Sequence, residues 1–430
     1  MKNIYKLGLA LATISIANLG FAQTEFRPFT PIASAIVSVN DLGNAVTNTR
    51  TYNYASNAFT TKESTVTNFN SINNNGDIAG SIYMENSTTL KQPGVKIAPS
   101  TRWDRIPWFP NSNPANSSFD VYKISTSGKY VVGNMSEAST VFGAFLYNTV
   151  TQEFTPIIPD ANSPYRYIRI MSVNDNGYMT GWADYKENNI SGIRTPIYIN
   201  MADMKIHEIS IHGSSNINNI AYAINNNNVI AGYKEGYAFT YNINTGEEVM
   251  TQLPDGLVMT FFLGISDDGT AVGYGVVSPT VYDAIVYKPG WTKPKRVKDL
   301  LQAQNIPVSV DLMGTASSIS NNGKYIGGYL NGGLTSQGWM IKLDDAFLAT
   351  STEAKTADIK IYPNPTSQYF SIQSPKNKID TVEVINMEGR LVEKFNTSLE
   401  KYDISKLPAG NYMIKITSNS KTTVHQLIKK

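Results

Sequence analysis

Cysteine is absent from the 430 residues, which excludes a disulfide framework, a thiolate nucleophile and any cysteine-ligated metal. Histidine is scarce: His207, His212 and His425 are the whole supply. A Ser-His-Asp arrangement needs an imidazole beside the serine. His207 falls in an apolar-alternating run and His212 in the loop after it, so neither is expected near a site shared by several segments, and His425 lies in a separate C-terminal module. No short histidine spacing suits a metal either. Charge is thin as well, 16% charged residues and a net +2, so no field of one sign points to nucleic acid. The one basic cluster, Lys293-Pro294-Lys295-Arg296 with Lys298, reads as a solvated strand edge. Beyond the first residues no apolar run approaches the ~18 residues of a membrane helix.

The N-terminus has the pattern of a secretory signal over residues 1–22. Lys2 and Lys6 supply the positive start, Leu7 to Leu19 the apolar core, and Gly20-Phe21-Ala22 a small-residue cleavage site. What the chain has in quantity is tyrosine (25 residues) with much Asn, Ser and Thr, a composition suited to β-structure with polar outer faces.

A short phrase recurs along most of the length. Ser71-Ile72-Asn73-Asn74-Asn75-Gly76 is followed by Gly80, Ser172-Val173-Asn174-Asp175-Asn176-Gly177 by Gly181, and Gly264-Ile265-Ser266-Asp267-Asp268-Gly269 by Gly273. Ala223-Ile224-Asn225-Asn226-Asn227-Asn228 precedes Gly232. Looser copies end at Gly43, Gly128 and Gly323. Asn-Gly and Asp-Gly pairs tolerate the positive φ of a tight hairpin. The later glycine, inside a strand, marks a close backbone approach. An Ala-Phe strand follows in several copies: Asn57-Ala58-Phe59-Thr60, Gly143-Ala144-Phe145-Leu146 and Tyr237-Ala238-Phe239-Thr240. A fourth run then appears at Phe154–Ile158, Lys205–Ile209, Glu247–Leu253 and Arg296–Leu300.

Four short strands per unit, at a spacing near ~50 residues, predict an all-β chain built as a β-propeller. Counting phrases gives about seven blades, or six if the short first interval marks an incomplete one. The last repeat stops near Leu343 without a fourth strand, while Phe29-Thr30-Pro31-Ile32 repeats the outer-strand sequence Phe154-Thr155-Pro156-Ile157. An N-terminal strand completing the last blade would close the ring and remove two sheet edges. The Ala-Phe strand with its Ile-Asn-x-x-Gly phrase resembles the HAF-type extracellular repeat of bacterial secreted proteins; Gly143, Tyr237 and Asn57 stand where that repeat has its histidine. The resemblance covers residues 25–343 and implies export and repetition, with little chemistry.

Composition changes near Asp345. The reading is a propeller over residues 23–345, a linker over 346–358 and a small β-sandwich over 359–430, with strands separated by Pro363-Asn364-Pro365, Glu388-Gly389 and Pro408-Ala409-Gly410. This module resembles the type A sorting domain of type IX secretion substrates in Bacteroidetes. The matching positions include Pro363, Asn364, Pro365, Gly389, Gly410, Tyr412 and the basic end Lys429-Lys430. The resemblance implies that the type IX machinery is a partner and that the protein is secreted or held at the cell surface.

The segment between Lys91 and Asp120 reads as an insertion rich in Pro, Asn and Ser that carries Trp103, Arg105 and Trp108. Long loops with aromatics on a rigid scaffold are common binding surfaces, and Trp and Arg suit stacking on sugars or anchoring a protein. Trp182 and Tyr165 from the next repeat are candidates to flank that loop. The other reading is that both tryptophans fold back onto the propeller. Asn174-Asp175-Asn176 and Asp267-Asp268 offer oxygen ligands for calcium, but without the closing Glu of a calcium loop, so no cofactor is expected. Ser266-Asp267-Asp268-Gly269-Thr270 lacks the Trp of a sialidase box and aligns with the hairpin turns. The expected function is a non-catalytic binding module for a glycan or protein. The alternatives are a polysaccharide-acting enzyme with carboxylates at the propeller channel, or a structural adhesin.

Overall fold

A computed structural model describes residues 24–33, 35–109, 117–137, 142–186, 194–209, 219–331, 337–344, 360–373, 379–386, 390–396, 399–418 and 421–430. The segments expected as signal and linker lie outside these residues, as does Gly389 among the expected sorting positions. The chain divides into two compact units, Met1–Ser351 and Thr352–Lys430.

The first unit holds seven antiparallel four-stranded sheets. Their innermost strands are Ile36–Val39, Val66–Ile72, Ser117–Ile124, Tyr165–Val173, Ile220–Ile224, Met259–Ile265 and Thr315–Ile319. Each touches the inner strand of the next sheet, and the last touches the first, so the sheets are the blades of a closed seven-bladed propeller. Closure uses the strand Glu25–Ala33, which pairs with Gln337–Lys342 and completes the seventh blade from the other end of the chain. Thr24 and Asp344 fasten the junction: the Thr24 hydroxyl donates to the Asp344 carboxylate at 2.8 Å and accepts from its backbone N–H at 3.1 Å.

The apolar core lies between blades, as expected when each sheet must bury both faces. Phe29, Tyr52, Tyr325 and Met340 fill the joint between the seventh and first blades. Phe119 and Phe145 pack with Ala79, Val95 and Ile106 between the second and third. The widest cluster gathers Phe262, Val272, Ile285 and Trp339 from the sixth and seventh.

Three sequence expectations change. The Lys91–Asp120 segment supplies the outer half of the second blade, strands Lys91–Lys96 and Asp104–Arg105, so that much of it is scaffold. Ala58–Thr61 is a fourth strand, not a third, because the first blade is built compactly from residues 36–61. The run after Arg296 is a helix, Val297–Ala303, whose Val297, Leu300 and Leu301 recur at helical spacing and are buried.

The second unit has one sheet of Lys360–Tyr362, Tyr369–Gln373 and Tyr402–Asp403 and another of Leu391–Phe395, Ile379–Asn386, Gly410–Ser418 and Lys421–Lys429. Phe370 and Tyr402 from the first meet Val382, Val384, Ile414 and Leu427 from the second in one apolar layer, the arrangement of a small β-sandwich. The Pro363–Pro365 turn and the chain end belong together. The Asn364 side chain accepts from the Ile428 N–H at 2.9 Å, and the Lys430 N–H donates to the Thr366 carbonyl at 2.8 Å.

Candidate ligand-binding site

The recurring phrase encodes three linked devices at the centre of the propeller. The first is a β-bulge. In all seven inner strands the register slips by one residue at the same point, leaving Val37, Asn70, Tyr122, Met171, Tyr222, Leu263 and Ser317 without a partner on the second strand. A bulge re-aims its side chain, and all seven line a central cavity of about 170 Å³. The second device is the strand glycine, which stands opposite the bulge where the backbones crowd. A Cβ on Gly181 would lie 1.8 Å from the Arg169 carbonyl oxygen, and one on Gly273 equally close to that of Phe261.

The third device is a ring of hydrogen bonds joining the hairpin turns. Buried Asn225 accepts from the N–H of Asn227 and Val229 in its own turn and donates to the Ser266 carbonyl of the next blade at 2.8 Å. Asn40 and Asn174 make the same reach to Asn73 and Asn225. Where serine replaces asparagine the reach is lost and a neighbouring residue takes over. Asp175 accepts from the Ser127 N–H and hydroxyl, and Asp41 accepts from the Asn322 N–H and the Asn74 amide. The Asp267 carboxylate accepts from the Asn226 N–H, and the Asp267 N–H donates to the Asn321 carbonyl. Burial raises the Asp267 carboxyl above its ordinary value; the Asn226 N–H opposes this, and the charges of Asp41 and Asp175 add to it. These aspartates are therefore occupied as turn acceptors, and among the described residues no group of three or more acidic or histidine side chains is placed to hold a metal.

The turns all lie at one mouth of the channel. Toward the other, the residue after the strand glycine is small and polar in the second and third blades (Ser81, Asn134) and aromatic in the fourth to seventh (Trp182, Tyr233, Tyr274, Tyr329). Tyr233 and Tyr274 sandwich Phe261 with centroids 4.0 and 4.6 Å away, and Tyr282 meets Tyr274 edge-on at 5.1 Å. Arg194 lies over Trp182 at 4.2 Å, with Arg169 at 5.9 Å. Burial raises the Tyr222 phenol, an effect that nearby Arg194 opposes, while Tyr274 is raised by burial and by Tyr222 and Tyr282. Phe261, Tyr274, Tyr282 and Tyr329 keep part of their rings exposed, as Tyr222 does inside the channel.

The residues singled out from the sequence fall in three places. Trp103 is 8% exposed and stacks on Phe69 between the first and second blades. Trp108 meets Phe119 edge-on, and Arg105 is exposed on the outer strand of the second blade. Tyr165 is buried and donates to the Glu208 carboxylate at 2.6 Å, which also accepts from Tyr185. Only Trp182 takes the aromatic repeat position, and there it is as buried as Trp103, packed under Arg194. His207, paired flat against Tyr198 at 4.7 Å, sits in an outer strand, and His212 lies outside the described residues. The sequence signal for Tyr233, Tyr274 and Tyr329 was available: an aromatic directly after the strand glycine in consecutive repeats.

Comparisons with known proteins bear on the two units differently. No curated protein matches the sequence. Among solved structures, the chain is similar to TolB from Acinetobacter baumannii (11% identity, 62% of this chain and 64% of that one, TM-score 0.39). It is also similar to the extracellular domain of a hybrid two-component system from B. thetaiotaomicron (10% identity, 95% and 60%, TM-score 0.44). A third likeness is to an oligogalacturonate lyase from Vibrio parahaemolyticus (9% identity, 76% and 98%, TM-score 0.45). The chain spans less than two thirds of the length of the first two. Likenesses this distant carry no chemistry, and the propeller rests on its own sheets. Residues 360–430, by contrast, match the family model of the secretion system C-terminal sorting domain. The protein is therefore one that the type IX secretion machinery handles and delivers to the cell surface or the medium.

Proposed function

We propose that this protein is a non-catalytic extracellular binding module that takes a glycan at the aromatic mouth of its propeller, a reading in keeping with a HAF-type secreted repeat. The observation that carries it is the run of aromatics at one repeat position through four consecutive blades, where Tyr274 and Tyr329, with Tyr282 beside them, stay partly exposed over a buried layer of Trp182 and Tyr233, and Arg169 and Arg194 lie alongside. Partly exposed rings offer sugars flat apolar faces, and arginine adds hydrogen bonds to hydroxyls. Support for binding over hydrolysis comes from the cavity wall, which carries Ser, Asn, Thr and Tyr but no carboxylate among the described residues, whereas glycoside hydrolysis by paired acids needs two. Trp103 and Trp108 serve better as packing than as a platform.

The test is a glycan array probed with the full chain, with product analysis of every glycan bound. Saturable binding with intact glycan, weakened about tenfold or more by Tyr274→Ala or Tyr282→Ala, is the expected result. Shortened products would overturn the reading in favour of an enzyme. Silence across the array would turn attention to a protein ligand at the same mouth.

A further inference from the structure

Lys123 occupies the position after the bulge in the third blade, where other blades have Ser38, Ser71, Ser172 and Ser318. It is the one charged side chain lining the cavity among the described residues. It is half-buried among the inner strands, and that burial pushes its ammonium below the ordinary lysine value with no carboxylate to offset it. An enclosed cation without a counter-charge is costly, and a bound anion relieves that cost. The turn mouth carries Asp41, Asp175 and Asp267, while toward the aromatics Arg169 and Arg194 outnumber one exposed carboxylate, Asp120, which stands on the third blade at the rung Arg169 takes on the fourth. An anion therefore meets the favourable charge along the fourth blade, past Arg169 and Arg194.

We propose that the channel is a subsite for one anionic group, a carboxylate or sulfate, seated on Lys123 and solvated by the hydroxyls of Tyr122, Tyr222, Ser71 and Ser318, the last two of which accept backbone N–H groups and keep their own hydrogens to donate. That the group is carried on a sugar rests on the reading of the aromatic mouth above; that the channel takes an anion does not. The cavity has room for such a group with a few waters.

The experiment is NMR of the full chain with its lysines reductively ¹³C-methylated, the Lys123 signal being identified by its loss in Lys123→Arg. Sodium sulfate, sodium glucuronate and glucose are titrated at constant ionic strength, and affinities are measured in parallel by calorimetry. A saturable shift confined to the Lys123 signal is expected with the anions. Affinity should fall about tenfold or more in Lys123→Met and survive in Lys123→Arg; Lys123→Arg also reports on folding. Saturation by sulfate alone supports the subsite with a free anion as occupant. Tighter binding of glucuronate than of either sulfate or glucose puts the anion on a sugar. A non-saturating shift like that of surface lysines, or unchanged affinity in Lys123→Met, would overturn the subsite. Loss of all glycan binding with the sulfate response intact would instead sink the aromatic-mouth reading alone.

Discussion

Asn225 and Ser266 stand at the same place in consecutive repeats and do different work. The asparagine is long enough to satisfy its own hairpin and still reach the next blade, while the serine hydroxyl bonds only within its own turn, to Asp268 and the Thr270 carbonyl. The repetition of asparagine is therefore a mechanical requirement of a ring of wedges. Asn225→Ala should cost about 2 kcal/mol, since it strands the half-buried Val229 N–H and removes the buried clasp to the sixth blade. Asn225→Ser should cost less, because the hydroxyl can still serve the local N–H; urea unfolding of the two variants measures the difference. A second residue-scale prediction concerns Asp283, whose side chain is 1% exposed and paired with Arg296 at 2.8 Å. Arg296→Ala leaves that carboxylate buried with the Met313 N–H as its remaining partner and should cost about 3 kcal/mol, more than Asp283→Asn, which leaves the arginine partly in water.

Among the elements, the N-terminal strand decides whether the ring stays shut. Arg27 donates to Glu25 at 2.6 Å, lies 3.6 Å over the Tyr54 ring and donates to the Tyr54 carbonyl, while the Tyr54 hydroxyl donates to Glu25. The hydrogen bond from Arg27 comes first among the causes that hold the Glu25 carboxyl below its ordinary value, despite opposing burial. A carboxyl with a lowered folded-state pKa stabilises the fold above its unfolded value and loses that contribution as pH falls through the folded one. Glu25→Gln should thus be less stable than the wild type near pH 7, by under about 1 kcal/mol because Glu25 is half exposed. The gap should narrow as the pH falls below the ordinary carboxylate range; denaturation series at neutral and at acid pH would show a constant gap if the clasp contributes nothing. The outer strands Asp104–Arg105 and Lys295–Arg296 are two residues long, too short to leave a period-two pattern, so the sequence reads as loop at the first and as a longer strand at the second.

For the whole molecule, the two units separate address from activity. Removing residues 360–430 should leave the seven-bladed unit folded but undelivered, retained inside the outer membrane, as fractionation of cells would register; surface delivery of the truncated chain would refute the assigned route. The sequence by itself determined the repeat, its hairpins and glycines, the strand-swapped closure and the sorting module, because each depends on neighbouring residues or on copies of one phrase. The aromatics after the strand glycines are legible in the sequence, but their gathering at one mouth and the Lys123 channel were decided only by the tertiary structure. Arg194, Tyr222 and Phe261 come from three separate blades, and a bulge turns one residue per blade inward without any change of composition to announce it. Local patterns record what each blade is, whereas a site at the hub exists only once seven of them have closed around it.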